Sequence, residues 1–172
     1  MRVERLTENV GSVMRIAEML SEEGIIEVEA SGKVELLKHI SDIIAKCYPS
    51  LSSDEVFHVL MEREQLGSTG VGDGIAIPHG KLPRDRFGCG HRLLPVLLFA
   101  RSRRGIDFDA MDSKPVHLVF ALLAPEDCPG LHLKVLAKIA RLLKNKEVQE
   151  KLLYAKNREE ILDIIKRYDN VS

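Results

Sequence analysis

The sequence predicts an α+β fold: one three-layer domain with a β-sheet between helices. Two near-continuous apolar runs, residues 93–100 and 116–124, read as strands buried on both faces. Stretches with apolar residues at helical spacing lie before and after them. The 172 residues amount to about one domain at ~150 residues each, and a chain of that size buries ~70% of its unfolded surface.

Lys plus Arg total 25 and Asp plus Glu 26, a net charge of −1. That balance argues against nucleic-acid binding by bulk basic charge. At 45% hydrophobic residues the chain is too apolar for disorder, and without Trp its core must be largely aliphatic. No apolar run approaches the ~18 residues of a membrane helix. The opening MRVERLTENVGS lacks the apolar stretch of a secretory signal. Cys47, Cys89 and Cys128, odd in number and widely spaced, read as free thiols of a reducing cytosol with no zinc site. One disulfide is the alternative. The expected location is cytoplasmic.

The elements follow in order. Val10, Val13, Met14, Ala17 and Leu20 fit one helical face, and Gly24 can end that helix. The β-branched residues 25–28 read as a short strand. Ser31 can cap a helix carrying Leu36, Leu37, Ile40, Ile43 and Ile44, which Pro49 stops. Ser53 or Asp54 starts another, running to about Gln65. The segment GSTGVGDG holds Gly67, Gly70, Gly72 and Gly74 and reads as a loop. Residues 75–77 suit a short strand that Pro78 ends. After the two long apolar strands, helices fill 129–144, 146 to about 155, and the stretch beyond Asn157.

Three residues stand out chemically. His79 follows a strand-ending proline and faces the glycine-rich loop, placed to meet another protein; a solvated loop histidine is the bland alternative. The loop itself could form a nest of amides for an anion, with Ser68 and Thr69 adding hydroxyls, or be only a turn. Arg63 shares a stripe with Val56, Val59 and Leu60, which puts a cation on the core-facing side of its helix. It is either aimed at a bound phosphate or snorkelling while it complements the helix C-terminus. His132 shares a stripe with Val135, Leu136 and Ile139 in the first turn of a helix opened by Pro129. There it can donate to a phosphoryl oxygen, or be a satisfied core histidine. His39, His58, His91 and His117 fall in no pattern of ligand or nucleophile spacing.

The run REQLGSTGVGDGIAIPHGKL resembles the phosphohistidine signature of the type-2 EIIA components of the bacterial phosphoenolpyruvate-dependent phosphotransferase system. That group contains mannitol/fructose EIIA domains and nitrogen-regulatory EIIA proteins. The block GIDFDAMDSKPVHLVFALLAPEDCPGLHLKVLAKIARLL resembles it too, and the likeness spans roughly residues 14–168. It implies a small mixed sheet flanked by helices on both faces. It places phosphoryl acceptance on His79, steadying of the phosphoryl oxygens on Arg63, and a neighbouring donor on His132. Ser68, Thr69 and the loop amides, Gly70 among them, would complete the pocket. The implied phosphoryl donor is a histidine-containing phosphocarrier protein, with no cofactor and no metal.

PHGKL and LHLKVLA look closest to the nitrogen-regulatory branch, whose phosphorylation state regulates partners such as kinases or ion transporters. The alternatives are a sugar-transport EIIA passing phosphate to an EIIB, and a non-catalytic binding module of the same fold. Residues 1–13 read as an N-terminal extension, helical by the stripe of Val10 and Val13, before an EIIA domain at 14–172; a start at Met14 is the alternative to one at Met1. The chain departs from the family in the basic loop Arg84–Arg92, which would ring the site with Lys81, Arg84 and Arg86 if it stays close.

Overall fold

The computed structural model describes residues 15–87 and 94–169. The N-terminal extension, Cys89, His91 and most of the basic loop lie outside the described residues. The first elements are a one-turn helix α1 (Ile16–Met19) and strand β1 (Leu20–Glu27). This corrects the expected helix running to Gly24. The chain turns extended at Leu20 because Leu20 pairs with Leu97 and Ile25 with Phe99, in parallel, across an irregularity between them. A three-dimensional pairing outweighs the local helical stripe.

Helices α2 (Lys33–Cys47) and α3 (Ser53–Gln65) follow. Gly32, not Ser31, is the N-cap of α2; the Ser31 amide and hydroxyl instead donate to Glu35 at 2.8 and 2.5 Å. In α3 the Ser52 hydroxyl caps the Glu55 amide at 3.1 Å. The glycine-rich segment is more ordered than a loop: β2 (Gly70–Gly72) and β3 (Ile75–Ala76) form an antiparallel hairpin. Its turn has φ of 55° at Asp73 and 78° at Gly74, the positive values that a two-residue Asp-Gly hairpin requires. Strand β4 (His79–Leu82) was not expected, since HGKL carries no strand signal of its own. It forms because the edge of β6 (Val116–Pro125) beyond β3 is open, and His79 pairs with Leu122 there. A 3-10 turn, Arg84–Phe87, comes next.

Strand β5 (Val96–Ile106) outruns the expected 93–100, because β6 continues its ladder through Arg101 opposite Leu118 and on to Ile106 opposite Val116. Helices α4 (Pro129–Lys144), α5 (Lys146–Tyr154) and α6 (Arg158–Asp169) complete the chain. The sheet runs β1-β5-β6-β3-β2, with β4 also on β6, in mixed parallel and antiparallel pairings.

Alternation along the two long strands divides the core. Leu97, Phe99, Leu118, Phe120 and Leu122 pack with residues of α1 and α4–α6. Val96, Leu98, Ala100, Val119, Ala121 and Leu123 pack with residues of α2 and α3. This is the two-face burial that the continuous apolar runs predict. Arg101 is buried beside them; its guanidinium binds Glu27 and the carbonyls of Leu152, Leu153 and Ala155, so it satisfies the C-terminus of α5. Cys47 and Cys128 are free thiols.

Phe120 has no exposed surface and packs against Phe99 with ring centroids 5.0 Å apart. Phe120→Ala is expected to cost about 3–5 kcal/mol in urea unfolding. Val34→Ala, at a position 52% exposed, should change stability by no more than about 0.5 kcal/mol.

Candidate functional site

His79 opens β4 at the sheet's edge, half-buried, between α3 and α4. Glycine is needed at the next position, because a Cβ on Gly80 would stand 3.1 Å from Val59 of α3. The His79 ring is held at both nitrogens. Its Nδ1 lies 2.8 Å from the Ile77 carbonyl oxygen, which can only accept, so Nδ1 carries the hydrogen. Arg63 Nε donates to Nε2 at 3.2 Å, so Nε2 carries the lone pair. The network thus assigns the tautomer and leaves Nε2 as the nucleophilic atom.

Arg63 joins the two roles the sequence left open. Its Nη1 donates to the Gly67 carbonyl at 3.0 Å, just past the end of α3, while its Nε reaches the imidazole. His132 lies in the first turn of α4, its amide donating to the Cys128 carbonyl at 3.3 Å. It is only 5% exposed, and its ring stands edge-on to His79 with centroids 5.2 Å apart. Its Nε2 is buried without a hydrogen-bond partner among the described residues. A buried polar atom left unpaired costs free energy, so a missing partner is expected there.

Both imidazoles are held neutral. Burial is the main force lowering the pKa of His79; the cations of Arg63 and Lys81 add to it, against the Ile77 hydrogen bond and the Glu64 carboxylate. The pKa of His132 is pushed down to about 4, first by burial and then by His79, Lys81 and Arg63. Lys81 is exposed two residues beyond His79 on the same strand. Arg84 and Arg86 are ion-paired to Asp127 at 2.6 Å and Glu55 at 3.0 Å.

Ser68, Thr69 and Gly70 of the glycine-rich segment already have partners. The Ser68 hydroxyl donates to the Phe108 carbonyl at 3.2 Å and accepts the Gly70 amide at 3.1 Å. The Thr69 amide and hydroxyl both bond Glu64, at 3.1 and 2.5 Å. Gly70 is glycine for space, since a Cβ would stand 2.9 Å from Ala110.

Two participants escaped the sequence reading. One is the Ile77 carbonyl, a backbone atom with no signature of its own. The other is Glu64, 4% exposed. Val56, Leu60 and Glu64 recur at every fourth position on the buried face of α3, a spacing that could have revealed it.

A neutral imidazole whose lone pair lies on Nε2, a guanidinium bonded to it and a second imidazole converge here. That set can attack and then stabilise an anionic tetrahedral group.

The unfolded chain protonates His132 near pH 6.5, whereas the folded chain does so only near pH 4. Stability should therefore fall as pH drops through this window. His132→Asn removes that contribution, so urea unfolding at pH 7.5 and 5 should show a shallower pH dependence in the variant. His79, shifted the same way, leaves part of the slope in place.

The profile of the family described as phosphoenolpyruvate-dependent sugar phosphotransferase system, EIIA 2, matches residues 18–168. A nitrogen regulatory protein of Bradyrhizobium diazoefficiens is 41% identical over 155 residues, covering 88% of this chain and 95% of that protein. A fructose-specific EIIA component of Haloferax volcanii is 41% identical over 112 residues, 65% of this chain and 68% of its own. The crystal structure of nitrogen regulatory protein IIA-Ntr from Neisseria meningitidis superposes with a TM-score of 0.77 at 38% identity, covering 87% of this chain and 98% of that one.

Proposed function

The chain belongs to the EIIA 2 family of the phosphoenolpyruvate-dependent sugar phosphotransferase system, and on that premise we propose that it accepts a phosphoryl group on Nε2 of His79 and regulates other proteins through its phosphorylation state. The observation that carries this is the pair of contacts on the imidazole: Ile77 fixes the proton on Nδ1 and leaves Nε2 with a lone pair.

The donor is a phosphohistidine of a histidine-containing phosphocarrier protein. Its N–P bond breaks as the P–Nε2 bond forms, and the electron pair returns to the donor nitrogen. Because the His79 lone pair is consumed, the Arg63 N–H loses its acceptor and turns to a phosphoryl oxygen. The transition state spreads charge over the equatorial oxygens, where Arg63 and the neutral His132 can stabilise it. The proton kept on Nδ1 makes the onward leaving group a neutral imidazole, so the group passes on readily.

The site also fits a protein partner. Leu66, Val71, Met111 and Leu133 are large, apolar and exposed. Val71 and Leu133 directly follow Gly70 and His132, and the Met111 amide donates to the Gly70 carbonyl at 3.2 Å. Exposed apolar residues beside a reactive group are the usual mark of an interaction face. The nitrogen regulatory relatives favour the regulatory branch; a kinase or ion transporter as the regulated class and the cytoplasm as the location are part of our proposal. Residues 1–13 precede the family match, which begins at residue 18, in keeping with an extension. The Haloferax relative supports the second reading, a sugar-transport EIIA that hands the group to an EIIB.

Incubation with phosphoenolpyruvate and the phosphocarrier proteins should give an acid-labile phosphoryl adduct on the His79 peptide, and His79→Ala should take up none. Arg63→Ala and His132→Ala should fold yet transfer on the order of 10²–10³ more slowly, as when one preorganised donor is removed from other enzymes. Wild-type rates in both would refute the pocket.

The branches separate in a pull-down. Phosphorylated wild type and His79→Ala should recover different partners outside sugar transport, since only differential affinity couples a modification to a target. Recovery of an EIIB alone, with rapid passage of label to it, selects the sugar-transport reading.

A further inference from the structure

Glu64 is a carboxylate in a nearly closed environment, and the phosphoryl chemistry does not use it directly. Its side chain is 1% exposed. It accepts the Thr69 amide through both oxygens, at 3.1 and 3.2 Å, and the Thr69 hydroxyl at 2.5 Å. Lys33 of α2 lies 3.6 Å from the same carboxylate and 3.0 Å from Asp109. A buried carboxylate is retained only where such donors offset its lost hydration.

The contacts continue beyond Thr69. The Thr69 carbonyl accepts the Ile77 amide at 3.0 Å, and the Ile77 carbonyl accepts Nδ1–H of His79 at 2.8 Å. A line of hydrogen bonds thus runs from Glu64 through Thr69 and Ile77 to the imidazole. Glu64 also directly follows Arg63, whose Nε reaches the opposite ring nitrogen. The last turn of α3 therefore acts on both sides of the ring, one nitrogen through Arg63 and the other through Glu64.

We infer that Glu64 is a positioning residue for His79: by anchoring Thr69 it holds the Ile77 carbonyl against Nδ1 and so keeps the lone pair on Nε2. The inference rests on the phosphoryl reading for its use, though not for its geometry. An acceptor that drifted from Nδ1 would leave Arg63 alone to hold the lone pair on Nε2, a fraction of the rings would take the Nε2–H form, and that form cannot attack phosphorus. Ion pairing with Lys33 alone would predict a loss of stability and no change in the ring.

The test is a two-dimensional multiple-bond ¹H–¹⁵N spectrum of the histidine rings in the full-length chain at pH 7.5. Wild-type His79 should show a pyrrole-type Nδ1 and a pyridine-type Nε2. Glu64→Ala should move both resonances toward intermediate values, while the exposed His58 stays unchanged. Phosphoryl uptake should fall roughly 10-fold, the lower end of what losing a supporting partner costs at other sites. Glu64→Gln, which keeps an oxygen acceptor for Thr69, should restore the wild-type resonances. If Glu64→Ala does not fold, Thr69→Val deletes the hydroxyl donor at nearly constant volume and should show a smaller shift of the same sign. Wild-type His79 resonances in a folded Glu64→Ala or in Thr69→Val overturn the inference. A wild-type chain that shows the expected tautomer but takes up no phosphoryl group refutes the proposed function instead, and the tautomer shift in the variants still decides the role of Glu64.

Discussion

The edge of β6 that β3 and β4 share sets the position of every group at the site. Along that edge Leu118 N–H bonds the Gly74 carbonyl at 3.0 Å, Leu122 bonds Pro78 at 2.9 Å and Glu126 bonds Leu82 at 2.9 Å. Pro78 sits where the chain steps from one short strand to the other, and its missing N–H leaves no donor unpaired at the step. His79 is then fixed opposite Leu122, and the packing of Gly80 on Val59 leaves the imidazole facing α4. Arg63 reaches it around the sheet's edge from α3, His132 from the first turn of α4, and Ile77 from the end of the hairpin. Were β4 to pair one residue out of register, the imidazole would point to the α3 side and lose His132.

The electrostatics follow from that placement. Burial and nearby cations disfavour a protonated imidazole, so His79 stays neutral and nucleophilic at neutral pH. On the proposed reading, the cations that repel a proton there would attract a phosphoryl group carrying about −1.5 to −2 charge. One arrangement of Arg63 and Lys81 would then serve the free and the phosphorylated states with opposite signs. The orphaned Nε2 of His132 fits the same logic: it lacks a partner in the free chain, and a phosphoryl oxygen would supply one.

Much of this was legible in the sequence, for identifiable reasons. The stripes on α3 and α4 placed Arg63 and His132 on inward faces because helical spacing alone decides which face a residue takes. The long strands were legible because burial on both faces leaves an unbroken apolar run. What escaped depends on pairing with distant residues. Leu20 became a strand residue through Leu97, and HGKL became a strand through β6. Arg84 and Arg86 pair with carboxylates distant in sequence, Asp127 and Glu55. No local pattern encodes such partners.

The glycine-rich segment carries this argument furthest. Its composition suggests an anion nest, yet in the free chain Ser68, Thr69 and Gly70 bond Phe108, Glu64 and one another, and Gly70 is glycine to clear Ala110. The groups left facing the nucleophile are side chains. A side chain can be used twice where a strand amide cannot. Arg63 holds Nε2 of the free imidazole, and on the proposed reading its guanidinium would be released when that lone pair is taken. The same guanidinium holds the Gly67 carbonyl beside Leu66, which is 85% exposed. On the proposed reading, the change at His79 is therefore felt first at the end of α3, where the chain shows an apolar side chain to its surroundings. A regulator must present its phosphorylation state on the surface, and Arg63 offers one route from the imidazole to it.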